Sequence, residues 1–369
     1  MTTTMRAPLS IILALAAILL SPVVARAQED DAPGPNAPST EGMTTSTTDV
    51  PLPDELTAEA NAAIARGLRG LAAAQVEDGS FPSERLEKHA GITALACIAF
   101  MADGNVPGRG PYGDNVRKGL EFVLNSVNPT GLIASETSHG PMYGHGFATL
   151  FLGEVYGMTQ GGGDAVLSAR VHDALVRACR LIVNTQNDEG GWRYNPVPQD
   201  ADISVTICQI MALRSARNAG IDIPKATIDR AVEYVRQCQN PDGGFRYQLN
   251  RGGSAWPRSA AGVAALYYAG IYEGDDIHRG LDYLVQSALP GETNPSKSHY
   301  AYGHYYAAQA MFLAGGDYWA RWWPAIRDEL IATQDAEGMW DGNYGRPYST
   351  AMSLIVMQMP KRYLPIFQK

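Results

Sequence analysis

Gln186-Asn-Asp-Glu-Gly-Gly-Trp192 ends one amphipathic stretch of the chain and opens a second, more uniformly apolar one. Close variants recur at Gln75-Val-Glu-Asp-Gly-Ser-Phe81, Gln239-Asn-Pro-Asp-Gly-Gly-Phe245 and Gln334-Asp-Ala-Glu-Gly-Met-Trp340. Each part has a physical use. The Asp/Glu-Gly pair supplies a tight turn with φ > 0, the glutamine side chain is expected to bond the last carbonyls of a preceding helix, and the aromatic ring can wedge between hairpins.

Working outward, each turn follows a stripe with apolar or small residues at i, i+3, i+4 and i+7, the mark of an amphipathic helix. The stripes are Ile64-Gly67-Leu68-Leu71, Val116-Gly119-Leu120-Val123, Leu175-Ala178-Cys179-Ile182, Ile228-Ala231-Val232-Val235 and Ile277-Gly280-Leu281-Leu284, with a looser sixth at Trp323, Ile326 and Leu330. After each comes an apolar, small-residue segment: 93–100, 147–152, 205–213, 260–266, 305–311 and 349–355. A helix apolar nearly all round must be buried on all sides, so six outer helices alternate with six inner ones. The interval ranges from 46 residues (Ile277 to Trp323) to 59 (Val116 to Leu175), a period typical of repeat architectures. Two turns are degenerate: the one after Val127 lacks both Gln and aromatic, and the one after Ser287 keeps only Gln286, at the wrong distance from Gly291.

These Gln-x-x-x-Gly-x-Trp-type turns resemble the repeats of squalene and oxidosqualene cyclases and of protein prenyltransferase β-subunits, over roughly residues 56 to 360. The resemblance implies an all-α fold, a single (α/α)6 toroid of six helix hairpins. It says little about chemistry, because folds host many functions.

The N-terminal region reads as an address. Arg6 precedes an apolar run from Leu9 to Leu20, and Ala25-Arg26-Ala27 suits a signal peptidase. The expected organisation is a signal peptide at 1–27 cleaved after Ala27, a disordered Pro/Ser/Thr-rich linker at 28–52 and a toroid domain at 53–369, exported to the periplasm or cell exterior. Lys and Arg total 29 against 38 Asp and Glu, for a net charge of −9, and the basic residues are dispersed, which argues against nucleic acid as a partner. Cys97, Cys179, Cys208 and Cys238 lie far apart without metal-ligand spacing and read as buried thiols.

In a closed ring of hairpins the inner helices all start at one mouth of the central space. Aligning the repeats puts His89, His145, Asp202, Arg258, His304 and Arg346 around that mouth, with Tyr143, Trp256, Tyr302, Tyr344 and Tyr348 beside them and His139 in the segment Ser138-His-Gly-Pro-Met-Tyr-Gly-His-Gly146. Asp202, His145 and His304 are the candidate acid–base residues; His89, His139, Tyr143, Trp256, Arg258 and Tyr302 are the candidate ligand contacts. Asp200-Ala-Asp202-Ile203-Ser204 resembles the Asp-x-Asp-Asp motif of protonating triterpene cyclases, retaining the first Asp and the acid position but not the last Asp. Asp202 is therefore read either as a general acid or as the cap of a helix starting at Ile203. His304 resembles the histidine ligand of prenyltransferases, but no Asp-x-Cys accompanies it. His89, His145 and Asp202 come from adjacent repeats and offer a zinc-like donor set, although no local ligand motif supports one. Three readings follow: a divergent cyclase-like toroid binding or transforming an apolar, isoprenoid-like or lipid ligand; a non-catalytic envelope scaffold; and a polysaccharide-lyase-like enzyme using Tyr143, His145 and Arg258.

Overall fold

The computed structural model describes residues 55–368 apart from 84–85, 136, 138, 160–163 and 294–296. The expected signal peptide and linker lie outside the described residues. Twelve α-helices make up the rest, in chain order α1 (Ala58–Ala73), α2 (Ala90–Met101), α3 (Gly113–Asn125), α4 (Met142–Thr159), α5 (Ala165–Asn184), α6 (Ile203–Asn218), α7 (Lys225–Gln237), α8 (Trp256–Tyr268), α9 (Asp275–Ala288), α10 (Tyr300–Ala314), α11 (Gly316–Thr333) and α12 (Arg346–Gln358). The even-numbered helices pack on one another in sequence, and α12 returns to pack on α2, so the inner ring closes. The odd-numbered helices clothe it.

Burial follows the pattern of the sequence. Every residue of α2 is buried, whereas α3 buries only Gly113, Val116, Gly119, Leu120 and Val123. In α7 the buried set is Thr227, Ala231, Tyr234 and Val235, with Ile228 and Val232 only half-buried. The stripe there is rotated because Tyr234 takes the place next to the core.

The turns work differently from the expectation for glutamine. The amide nitrogens of Gln75, Gln186, Gln239 and Gln334 each donate to the carbonyl of the glycine four residues on (Gly79, Gly190, Gly243, Gly338) and to a carbonyl of the next outer helix (Asn115, Thr227, Asp276, Ala63), at 2.7–3.0 Å. Their oxygens accept from Asn115, Arg230, Arg279 and Arg66 of that same helix. Glutamine thus staples adjacent repeats. In the two tryptophan turns the preceding helix is closed by the aromatic ring instead, since the Trp192 and Trp340 indoles donate to Ile182 (2.7 Å) and Leu330 (2.8 Å).

The turn glycines have φ between 84° and 97°, and a Cβ on any of them would stand 2.3–2.6 Å from a carbonyl of the next outer helix. Only glycine meets both constraints. The ring is closed by the same device, with Gln334 and Gly338 seated on α1, and by Gln358 Nε2 bonding the Ala99 carbonyl between α12 and α2.

Candidate functional site

A cavity of about 860 Å3 opens where the inner helices begin. Its upper walls carry His89, His139, His299, Arg258 and Tyr344; roughly one helical turn deeper along α2 and α4 stand Leu95 and Phe147. Seven tyrosines line it (Tyr143, Tyr194, Tyr247, Tyr283, Tyr302, Tyr344 and Tyr348), along with Trp256 and Ile92. No aspartate or glutamate is among the described lining residues.

Of the residues singled out from sequence, His89, His139, Tyr143, Trp256, Arg258, Tyr302, Tyr344 and Tyr348 meet at this cavity. His89 also caps α2, its Nδ1 accepting from the Ile92 N–H at 3.3 Å. Trp256 lies over Gly303, where a Cβ would stand 2.1 Å from the indole, so only glycine admits the ring.

His145, His304, Asp202 and Arg346 are not among the lining residues. His145 is fully buried, and its Nδ1 accepts from the Ile133 N–H at 3.1 Å. Thr206, Ser259 and Thr350 make the equivalent bond to Trp192, Phe245 and Trp340 in other repeats. This histidine therefore takes a hydroxyl's structural place, and burial holds its pKa down at about 4. His304 sits four residues into α10, as Thr350 does in α12, among Trp256, Tyr300 and Trp322 at ring distances of 4.8, 4.3 and 5.8 Å; burial lowers it to about 3. Both imidazoles point behind the inner ring, because one position along a helix turns a side chain by about 100°. His145 and His304 are thus displaced from the expected mouth. Arg346 is drawn outward by Asp335, Glu337 and Asp341. Among the described residues no three His, Cys, Asp or Glu side chains gather as a metal site, and the four cysteines are buried and free.

Asp202 is intermediate. Its Oδ1 accepts from the Ser204 and Val205 N–H groups, both at 2.9 Å, so it does cap α6. Its Oδ2 accepts from the Tyr247 hydroxyl at 3.2 Å and lies 3.6 Å from Arg193 Nε, while Arg193 also pairs with Asp200. Burial raises its pKa to about 6, against the opposing pull of the Val205 N–H, Tyr247 and Arg193. Tyr247 in turn hydrogen-bonds the Tyr194 hydroxyl, and both rings line the cavity. The carboxyl is sealed from the cavity but one hydroxyl away from it.

No family model matches the chain. Drimenyl diphosphate synthase of Streptomyces showdoensis is 28% identical over 193 residues, 52% of this chain, and the match spans 33% of that enzyme's length. The apo structure of the type II terpene cyclase MstE from Scytonema superposes over 83% of this chain and 99% of its own, with a TM-score of 0.53 and 14% identity. The fold is that of a terpenoid cyclase-like α/α toroid. An α-1,6-mannanase from a Salegentibacter species, in complex with α-1,6-mannotetrose, also superposes, over 81% of this chain and 98% of its own, with a TM-score of 0.59 and 9% identity.

Several lining residues of this terpenoid cyclase-like toroid escape a reading based on repeats. Tyr194 and Tyr247 follow the turns into α6 and α8, Tyr283 belongs to outer helix α9, and Ser298 and His299 come from the degenerate fifth connection. The one available signal was aromatic residues clustered two positions after the turn motifs: Trp192-Arg-Tyr194 and Phe245-Arg-Tyr247.

Proposed function

We propose that this protein is an exported toroid that encloses an apolar, isoprenoid-like or lipid ligand in its central cavity and acts on it by proton transfer from Asp202. The observation that carries the reading is the lining: aliphatic and aromatic walls with no carboxylate among the described residues. A cavity of about 860 Å3 lies toward the upper end of the ~300–1,000 Å3 range of small-molecule sites. Tyrosine faces also suit positive charge developing on a hydrocarbon, through the ring quadrupole. Glycoside hydrolysis uses two carboxylates flanking the bond, which the described lining residues lack, and the Tyr143–His145–Arg258 set needed by a lyase is not assembled because His145 faces away. The 28% identity with drimenyl diphosphate synthase supports an isoprenoid over a sugar, whereas the fold, shared with MstE and the mannanase alike, favours neither.

In this scheme a protonated Asp202 passes its proton to Tyr247 as the Tyr247 hydroxyl proton adds to a ligand double bond, leaving a carbocation whose lost proton, on closure, returns through Tyr247 to the Asp202 carboxylate. The donating form is the carboxylic acid, so turnover falls as pH rises through about 6. The test is native mass spectrometry of the full chain from its own envelope fraction, followed by incubation of the protein with geranylgeraniol in D2O. A co-purifying isoprenoid or lipid displaced by Leu95→Trp, and deuterium incorporation lost in Asp202→Asn and Tyr247→Phe, are expected. A folded protein that carries no lipid and binds no prenyl alcohol would sink the reading and favour a scaffold.

A further inference from the structure

The end of the ring opposite the mouth is crossed by the last stretch of the chain. After α12, two short 3-10 turns, Met359–Lys361 and Pro365–Phe367, are separated by Arg362, which reverses the backbone at φ 56°. Lys361 pairs with Asp103 beyond the end of α2, the Arg362 guanidinium lies 5.6 Å from the centre of the Phe312 ring of α10, and the second turn packs on α6. Met359, Leu364, Ile366 and Phe367 are buried, while Tyr363 among them is exposed. The tie to α4 is a hydrogen bond from the Ile366 N–H to Glu154 Oε2 at 3.4 Å. Glu154 stands seven residues beyond Phe147, hence on the same face of α4 and about 10 Å deeper along it, and is 3% exposed. Ser215 Oγ donates to its Oε1 at 2.7 Å, and no Lys, Arg or His among the described residues comes within ion-pair distance of it. The titratable groups that bear on it from α8 and α10 are Tyr268 and Tyr305, two phenols whose own ionisation its charge opposes. Nearby cations are engaged elsewhere, Arg214 of α6 on the Tyr272 hydroxyl and His172 of α5 against the Tyr156 ring.

We propose that residues 359–368 are a releasable strap over the far end of the ring, latched by Glu154: the strap is seated while the carboxyl keeps its proton and lifts when the carboxylate forms and must reach water. A carboxylate enclosed without a cation is costly, and the cover easiest to remove is this short terminal segment rather than an inner helix. Burial raises the Glu154 carboxyl from 4.5 to about 7. The seated strap therefore holds the proton more tightly than the lifted one, so its stabilisation is complete below about 4.5 and is lost as pH rises through 7. Lifting uncovers Leu364, Ile366 and Phe367 together with the ends of α4 and α6. Asp202, the proposed acid at the mouth, is also armed only while protonated, so one rise in pH disarms one end of the ring and unlatches the other. The strap itself does not depend on that proposal.

Hydrogen exchange of the full-length protein, read by mass spectrometry on the C-terminal peptide between about pH 5 and 9 and divided at each pH by the intrinsic exchange rate, measures the opening directly. Protection of the amides in 359–368 is expected to fall by roughly a hundredfold across that range, most of it below about pH 7, and then to level off. A peptide from the middle of α10 should keep its protection throughout. In Glu154→Gln, which keeps an acceptor for the Ile366 N–H but cannot ionise, C-terminal protection should stay high and flat. Ser215→Ala leaves the carboxyl in place and removes a donor that favours its charged form, so the levelling point should move to higher pH. Protection of the wild-type strap that does not change with pH would overturn the proposal. So would a decline that survives in Glu154→Gln with Ser215→Ala unshifted, and so would loss of protection in α10 in parallel with the strap, which would make the opening global.

Discussion

The connection after α3 and the connection after α9 have both lost the repeat's glutamine-to-aromatic spacing, yet they have different fates in space. After α3, Gly131 keeps φ 91° and would put a Cβ 2.5 Å from the Arg177 carbonyl of α5, as the regular turns do with their own neighbours. Arg177 Nη1 reaches the Asn128 carbonyl, and buried Ile133 stands in for the aromatic. After α9, Gly291 also has positive φ, but among the described residues nothing lies within 4 Å of its Cβ direction, and the connection supplies Ser298 and His299 to the cavity. The first connection lost the wording of the repeat, kept its contact and lends the cavity His139; the second lost the contact and lends it Ser298 and His299. Departure from a local rule without structural compensation is where function tends to sit.

This contrast is open to measurement. The largest expected effect is at the turn: Gly131→Ala should cost about 3 kcal/mol in urea unfolding, from a strained φ and a backbone clash, against about 1 kcal/mol for Gly291→Ala, where only the φ is unfavourable. Equal costs would erase the distinction. Next is pH. His145, which braces Ile133, has a folded-state pKa depressed to about 4, so the unfolded chain binds the proton first and stability falls as pH drops from 6.5 toward 4. The loss is of order 3 kcal/mol by pH 4. His145→Gln should start less stable at neutral pH and show a flatter decline across that window; an unchanged decline would assign the acid sensitivity elsewhere. Smallest is His299→Ala, expected to leave the unfolding free energy within about 0.5 kcal/mol while weakening prenyl-ligand binding; a variant that loses stability but not affinity would make the fifth connection structural.

Much of this architecture is legible in the sequence because burial is periodic. Gly67, Gly119 and Gly280 could be placed on core-facing stripes from spacing alone. What spacing does not convey is rotation. His145 and His304 fall at the right height for the mouth but on the wrong side of their helices, since a misalignment of one or two positions swings a side chain by about 100–200°. Arg66, Arg230 and Arg279 were equally illegible, because their bonds to the turn glutamines span 40 to 268 residues and no local pattern encodes them. Asp202 was readable as both acid and cap, and it does cap α6; its link to the cavity depends on Tyr247, 45 residues away.

The seam joining the last turn to the first helix has a consequence for biogenesis. Gln334 bonds the Ala63 carbonyl across 271 residues, and Gln358 bonds Ala99 across 259. An open solenoid can nucleate anywhere and grow outward, but a ring is unfinished until its two ends meet. While the chain emerges from a ribosome, α1 and α2 must wait with one face bare until α11 and α12 arrive. Loop-closure entropy for such distant partners is met only at the end, so a chaperone or holdase that shields the first hairpin should engage this protein early and release it in one step once the ring closes.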